Sequence, residues 1–170
     1  MKSIRTISIL CAAILVVAVA APAGPGTNPA WEKMKSLVGE WEGTMAHGDM
    51  NMPVKVSYSL VSDGTSLMER MDAPDHHEMI TMYHPDGSRI MMTHYCSEGN
   101  QPRMRAQAAA GEPKSLAFDF VDATGLASPQ AEHMRKLVFR FDDADHFTQE
   151  WTHRKAGKEE TGVFKYARKK

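Results

Sequence analysis

Glu78, His94, Cys96 and His76 are the residues whose types and spacing could do chemistry together. They flank Pro85-Asp86-Gly87, a turn signal in which Pro85 pre-sets φ and Gly87 accepts a left-handed conformation. A three-residue loop there pairs His84 with Ser88. Counting outward sets Met82 opposite Ile90, Ile80 opposite Met92, Glu78 opposite His94, and His76 opposite Cys96. Directly opposed residues share a face of the sheet. A carboxylate, imidazoles and a thiol roughly 5–7 Å apart could hold a metal ion, or supply a nucleophile and its base. The same residues could equally form a polar network that fixes the fold, or a hydrogen-bonding handle for a bound molecule, and these two readings are preferred. A four-residue loop would shift the register by one and change every pair.

Other residues join this set as ligand contacts. Met82 and Met92 occupy the aliphatic middle of the same face, between Ile80 and Ile90, while Tyr83 falls on the opposite face. Arg103 or Arg105 could grip a ligand carboxylate in a two-pronged way. Trp151 lies on a later expected strand, Phe147 to His153, on the same parity as Phe147. The candidate ligand contacts are therefore Glu78, His94, Met82, Met92, Tyr83, Cys96, Arg103 and Trp151, with His76, Glu78, His94 and Cys96 as metal candidates and no catalytic residue assigned. Separately, Met45, His47, Met50 and Met52 flank a turn at Gly48-Asp49. Thioethers and imidazole suit Cu(I), but methionine is also an adaptable filler of binding surfaces.

The elements that must position these residues are short. Asn28-Pro29 is an N-cap followed by proline at the first helical position. Trp31, Met34, Leu37 and Val38 recur at helical spacing, which predicts a helix over Pro29 to Leu37, ended by Gly39. From Trp41 onward the pattern predicts strands alone, nine or ten of them, separated by turn signals such as Asp63-Gly64 and Ala156-Gly157-Lys158. Many short strands at regular spacing imply a sandwich or a barrel. A single short helix that runs straight into Gly39-x-Trp41 fits the plug of a closed barrel.

Residues 1–23 have the layout of a secretory signal: Lys2 and Arg5, an apolar run from Ile7 to Ala21, and small-residue cleavage patterns around Ala20 and Ala23. The run is short for a membrane span, and Pro22, Gly24, Pro25 and Gly26 end it. Residues 24–28 read as a linker and 29–170 as a single domain. Removing the signal takes the net charge from −1 to −3, which argues against a nucleic-acid surface. The mature chain keeps Cys96 alone, so it has no internal disulfide. A lone thiol in an oxidising compartment is more often buried than reactive.

Leu37-Val38-Gly39-Glu40-Trp41-Glu42-Gly43 resembles the first strand of the calycin superfamily of lipocalins, fatty-acid-binding proteins and nitrobindin-like barrels. Glu78-Met79, Thr81, Tyr83-His84, Asp86-Gly87, Thr93-His94-Tyr95-Cys96 and Asn100-Gln101-Pro102-Arg103 resemble a bacterial lipocalin-like family of unknown function, the DUF1579 type. The resemblance implies an antiparallel β-barrel around an inner cavity and brings no established activity. It departs from fatty-acid-binding proteins in having no room for a helical lid between Ala46 and Pro53. The haem-binding pattern of nitrobindins is not evident.

The expectation is thus an all-β, calycin-like barrel with a short N-terminal helix closing one end. Its expected role is to hold a small, mainly apolar molecule in an inner cavity, in the periplasm or outside the cell, with Glu78 and His94 as polar handle. The alternatives are a metal or hydrolytic site on Glu78, His94 and Cys96, or a filled barrel acting through its surface. No cofactor is assigned, a metal ion or haem is not favoured, and no stable membrane insertion is expected once the signal is removed.

Overall fold

The structure is a computed structural model that describes residues 28–48, 50–72, 78–107 and 111–170, the side chains of His47 and Met50 excepted. The signal segment, all of the 24–28 linker but Asn28, and His76 lie outside the described residues.

A helix and ten strands follow one another: α1 (Pro29–Lys35), β1 (Gly39–His47), β2 (Met50–Val61), β3 (Ser66–Asp72), β4 (Glu78–Asp86), β5 (Arg89–Tyr95), β6 (Gln101–Ala106), β7 (Ser115–Thr124), β8 (His133–Phe141), β9 (His146–Lys155) and β10 (Lys158–Arg168). Each strand pairs antiparallel with the next, and β10 closes on β1, so the sheet is a closed meander without free edges. Period-two alternation turns one parity of each strand inward. Trp41, Val54, Val56, Leu67, Ile90, Met92, Met104, Phe118, Leu137, Phe139 and Phe147 are all buried in one continuous core.

Local chemistry explains how α1 plugs the barrel. The Asn28 side chain accepts from the Trp31 amide at 3.1 Å, and Pro29 needs no amide partner at the helix start. The Asn28 amide nitrogen also donates to Gly87 O and Arg89 O, which pins the helix start to the β4–β5 hairpin. Ala30, Trp31 and Met34 face inward. Behind them, Trp41 Nε1 donates to Leu37 O at 2.7 Å. Arg168, at the end of β10, lies 4.1 Å over the Trp41 ring and donates to Val38 O and Ser36 O. The last strand, the first strand and the helix exit are thereby tied at one point.

Closing the barrel forces β1 against β10. A Cβ on Gly43 would sit 1.9 Å from Lys165 O, so only glycine permits this approach.

The β4–β5 hairpin corrects the expected register. Its loop is Gly87-Ser88, between paired Asp86 and Arg89, with Gly87 at φ 60°. Glycine at the first central position of a two-residue loop is the arrangement that follows strand twist. Pro85 stays in the strand, opposite Ile90. Tyr83 therefore meets Met92 and Thr81 meets His94. The even residues of β5 point inward as expected. In β4 the odd residues do, and the expected parity is inverted.

Candidate functional site

The inverted parity separates Glu78 from His94. Glu78 is exposed, opposite Asp72 on the outer wall, and ion-paired with Arg70. His94 is 2% exposed and inside. The two cannot form the expected handle, nor the expected metal square with Cys96. No group of three or more His, Cys, Asp or Glu residues placed to hold a metal ion occurs among the described residues. Met82 lies on the outer face, opposite Thr93. Met92 is fully buried in the core. Arg103 is exposed and engaged with Asp122 through two bonds of 2.6 and 2.5 Å, on the outside of the barrel. Tyr83, expected on the outer face, is fully buried inside. Cys96 and Trp151 line the same cleft.

The barrel interior is filled through most of its height, not hollow. At its middle sits Glu69, 1% exposed. The alternation Leu67, Glu69, Met71 along β3 drives this carboxylate inward with its apolar neighbours. It is tolerated because one oxygen, Oε2, accepts from Tyr58 OH at 2.7 Å, Tyr83 OH at 2.8 Å and Gln149 Nε2 at 2.8 Å. Gln149 Nε2 also lies 2.9 Å from Tyr58 OH, and Gln149 Oε1 accepts from Trp151 Nε1 at 3.3 Å. Burial pushes the Glu69 carboxyl above its ordinary value, against the downward pull of the three donors. Burial, then the facing Glu69 charge, pushes the phenols of Tyr58 and Tyr83 well above theirs. The network is sealed in the core and joins β2, β3, β4 and β9. It fixes the barrel's cross-section.

One layer nearer the open end lies His94. Its Nδ1 is 2.9 Å from Thr81 Oγ1, and its ring packs at 4.7 Å on Trp151. Its Nε2 is buried without a hydrogen-bond partner. Burial lowers the pKa of His94 to about 4, so the imidazole is neutral over the ordinary pH range.

Above Trp151 the barrel opens. α1 fills the end where β1 begins. The opposite end holds a cleft of about 250 Å³ lined by Met45, Met71, Met79, Met134, Trp151 and Phe164, with Cys96, Ser97, Glu98, His153, Glu160 and Gly162 completing its wall. The apolar part combines four flexible thioethers with two aromatic rings. Burial raises the pKa of the Cys96 thiol and keeps it neutral. His153 Nε2 lies 3.3 Å from Glu132 Oε1.

Met71, Met79, Met134, His153 and Phe164 escaped the functional reading of the sequence, as did Glu69. For Glu69 a signal existed, namely a charge on the apolar parity of a strand. For the cleft none did, because its residues are spread over six strands and one turn and only barrel closure brings them together.

No family model matches this chain. No curated protein matches it. Among solved structures it is similar to a protein of unknown function from Nostoc punctiforme, of the DUF3598 family, with 12% identity and a TM-score of 0.45. The match covers 80% of this chain and 49% of the other, so the chain spans about half the length of that protein. The expected DUF1579-type membership is corrected by the first of these findings: no family model supports it.

Proposed function

We infer that the barrel binds a small, mainly apolar molecule at its open end. The observation that carries this reading is the cleft of about 250 Å³ with Met45, Met71, Met79, Met134, Trp151 and Phe164 on its wall, above a filled core. Ligand sites are concave and mostly apolar, with few polar groups. Methionine thioethers adapt to ligands of different shape. The volume falls just below the roughly 300–1,000 Å³ usual for such sites, so the occupant is a compact molecule or one end of a longer one. The polar groups on its wall are those of Cys96, Ser97, Glu98, His153 and Glu160, not Glu78.

Saturable binding of the probe N-phenyl-1-naphthylamine, followed by its fluorescence and by quenching of the protein's tryptophan emission, tests the reading. Met134→Glu places a charge in the half-buried wall without opening the core, and affinity should fall at least about tenfold, the equivalent of roughly 1.4 kcal/mol. Equal affinity in the variant and the parent would exclude the cleft.

The reading includes export. Lys2, Arg5, the Ile7–Ala21 run and the small residues after it support removal of a signal segment, with a mature chain that starts near Ala21 or Gly24 and works in the periplasm or outside the cell. Sequencing the N-terminus of protein taken from its native host checks this; a chain still starting at Met1 contradicts it.

A further inference from the structure

The cleft has a chemical character beyond being apolar. Met71 and Met79 are directly opposed in the β3–β4 register, which puts two thioether side chains on neighbouring inward positions. Met45 sits across the mouth on β1, opposite Met52 of β2. Met134 comes from β8, opposite His153. Cys96 brings a fifth sulfur, from the start of the β5–β6 turn. Directly opposed residues of an antiparallel pair have Cα atoms about 4.5–5.5 Å apart, well within the reach of a methionine side chain. Five sulfur-bearing residues therefore line one cleft of about 250 Å³. Ser97 Oγ donates to Met79 Sδ at 3.8 Å, so this thioether turns its sulfur towards the β5–β6 turn that borders the mouth. The carboxylates of Glu98 and Glu160 stand at the rim and favour a cation.

We propose that the open end of this barrel is a Cu(I) site built from the thioethers of Met45, Met71, Met79 and Met134 beside the thiol of Cys96. The donor set selects the ion. Soft sulfur donors suit Cu(I), whereas Mg²⁺ and Ca²⁺ require oxygen ligands, and the Cys, His, Asp and Glu side chains that Zn²⁺ calls for nowhere come together in a group of three among the described residues. Thioether donors carry no proton, so the methionines bind the ion without a change of protonation. The proposal rests on the same cleft as the apolar-ligand reading, but not on the same property of it. Leucine in place of methionine keeps the apolar volume and removes the sulfur.

Anaerobic titration of the full chain with Cu(I), in competition with the chromogenic chelator bicinchoninate, reads the site directly. The unaltered protein should withdraw a single equivalent of copper. The Met71→Leu/Met79→Leu variant should hold it at least about tenfold more weakly, with a melting temperature near the parent's showing that the fold is kept, since Met and Leu are near-isosteric. If the double variant does not fold, the single Met71→Leu and Met79→Leu proteins replace it, each with a several-fold loss expected. No withdrawal of copper by the parent, or unchanged affinity in the methionine variants, overturns the proposal. Complete loss on Cys96→Ser with no effect of the methionine changes also overturns it, as adventitious thiolate binding. Copper retained by a parent that fails to bind the naphthylamine leaves the copper site standing and removes the apolar-ligand reading instead.

Discussion

Trp41→Ala should cost the fold about 3–5 kcal/mol, the range for truncating a large buried aromatic side chain. Trp41 is 2% exposed. Its ring meets Phe147 edge-on at 4.7 Å from inside and the Arg168 guanidinium at 4.1 Å from outside. Its Nε1 is the hydrogen-bond donor to Leu37 O. Removing the indole leaves that carbonyl short of a donor, opens a void at the plugged end, and strips Arg168 of the surface on which it stacks. Domains are stable by only about 5–15 kcal/mol, so the change should be large in urea unfolding followed by far-UV circular dichroism. Trp41→Phe should lose less, since it keeps a ring between Phe147 and Arg168 and forfeits the hydrogen bond. A melting temperature for Trp41→Ala equal to that of the parent would mean that the indole does not hold helix and barrel together.

Much of this plugged end was legible in the sequence. Asn28-Pro29 gave the helix start, Gly39-x-Trp41 its junction with the barrel, and the turn signals the strands. These are local effects of capping, φ restriction and period-two alternation. Arg168 was not legible. It reads as part of a basic tail with Lys169 and Lys170, and acquires its role only when β10 is brought beside β1. The same limit applies to the hairpin. In β4 both parities carry side chains fit for a core: Ile80 and Met82 on one, Met79, Thr81 and Tyr83 on the other. Hydrophobic pattern alone does not choose between them, so the choice fell to the turn, and a two-residue loop inverts the face that a three-residue loop would give. Glu78 went to solvent and Tyr83 to the core as a result. The cleft lies further still from local signals, since it is assembled from six strands and one turn across the whole barrel.

His94 makes the fold acid-sensitive in a definite window. In the unfolded chain its imidazole titrates near 6.5, and burial lowers this to about 4 in the folded protein. Between those values the unfolded state binds a proton that the folded state refuses. Stability therefore falls as pH falls from 6.5 to 4 and is fully present above 6.5. The separation of about 2.5 units corresponds to roughly 3 kcal/mol. Glu69 acts in the opposite sense. Its folded pKa is raised above 4.5, so the folded state takes a proton more readily, and its contribution is lost as pH rises through the folded value. The slope measured on the parent is the sum of the two, which is why a comparison isolates His94. His94→Gln can still hydrogen-bond Thr81 and remains beside Trp151, but does not titrate. Urea unfolding at pH 7.5 and at pH 4 should show the parent losing about 3 kcal/mol more than His94→Gln over that range. Equal losses would mean that the folded imidazole takes up its proton as freely as the unfolded one, which requires water or an acidic partner at Nε2, the nitrogen that is buried and unpartnered here.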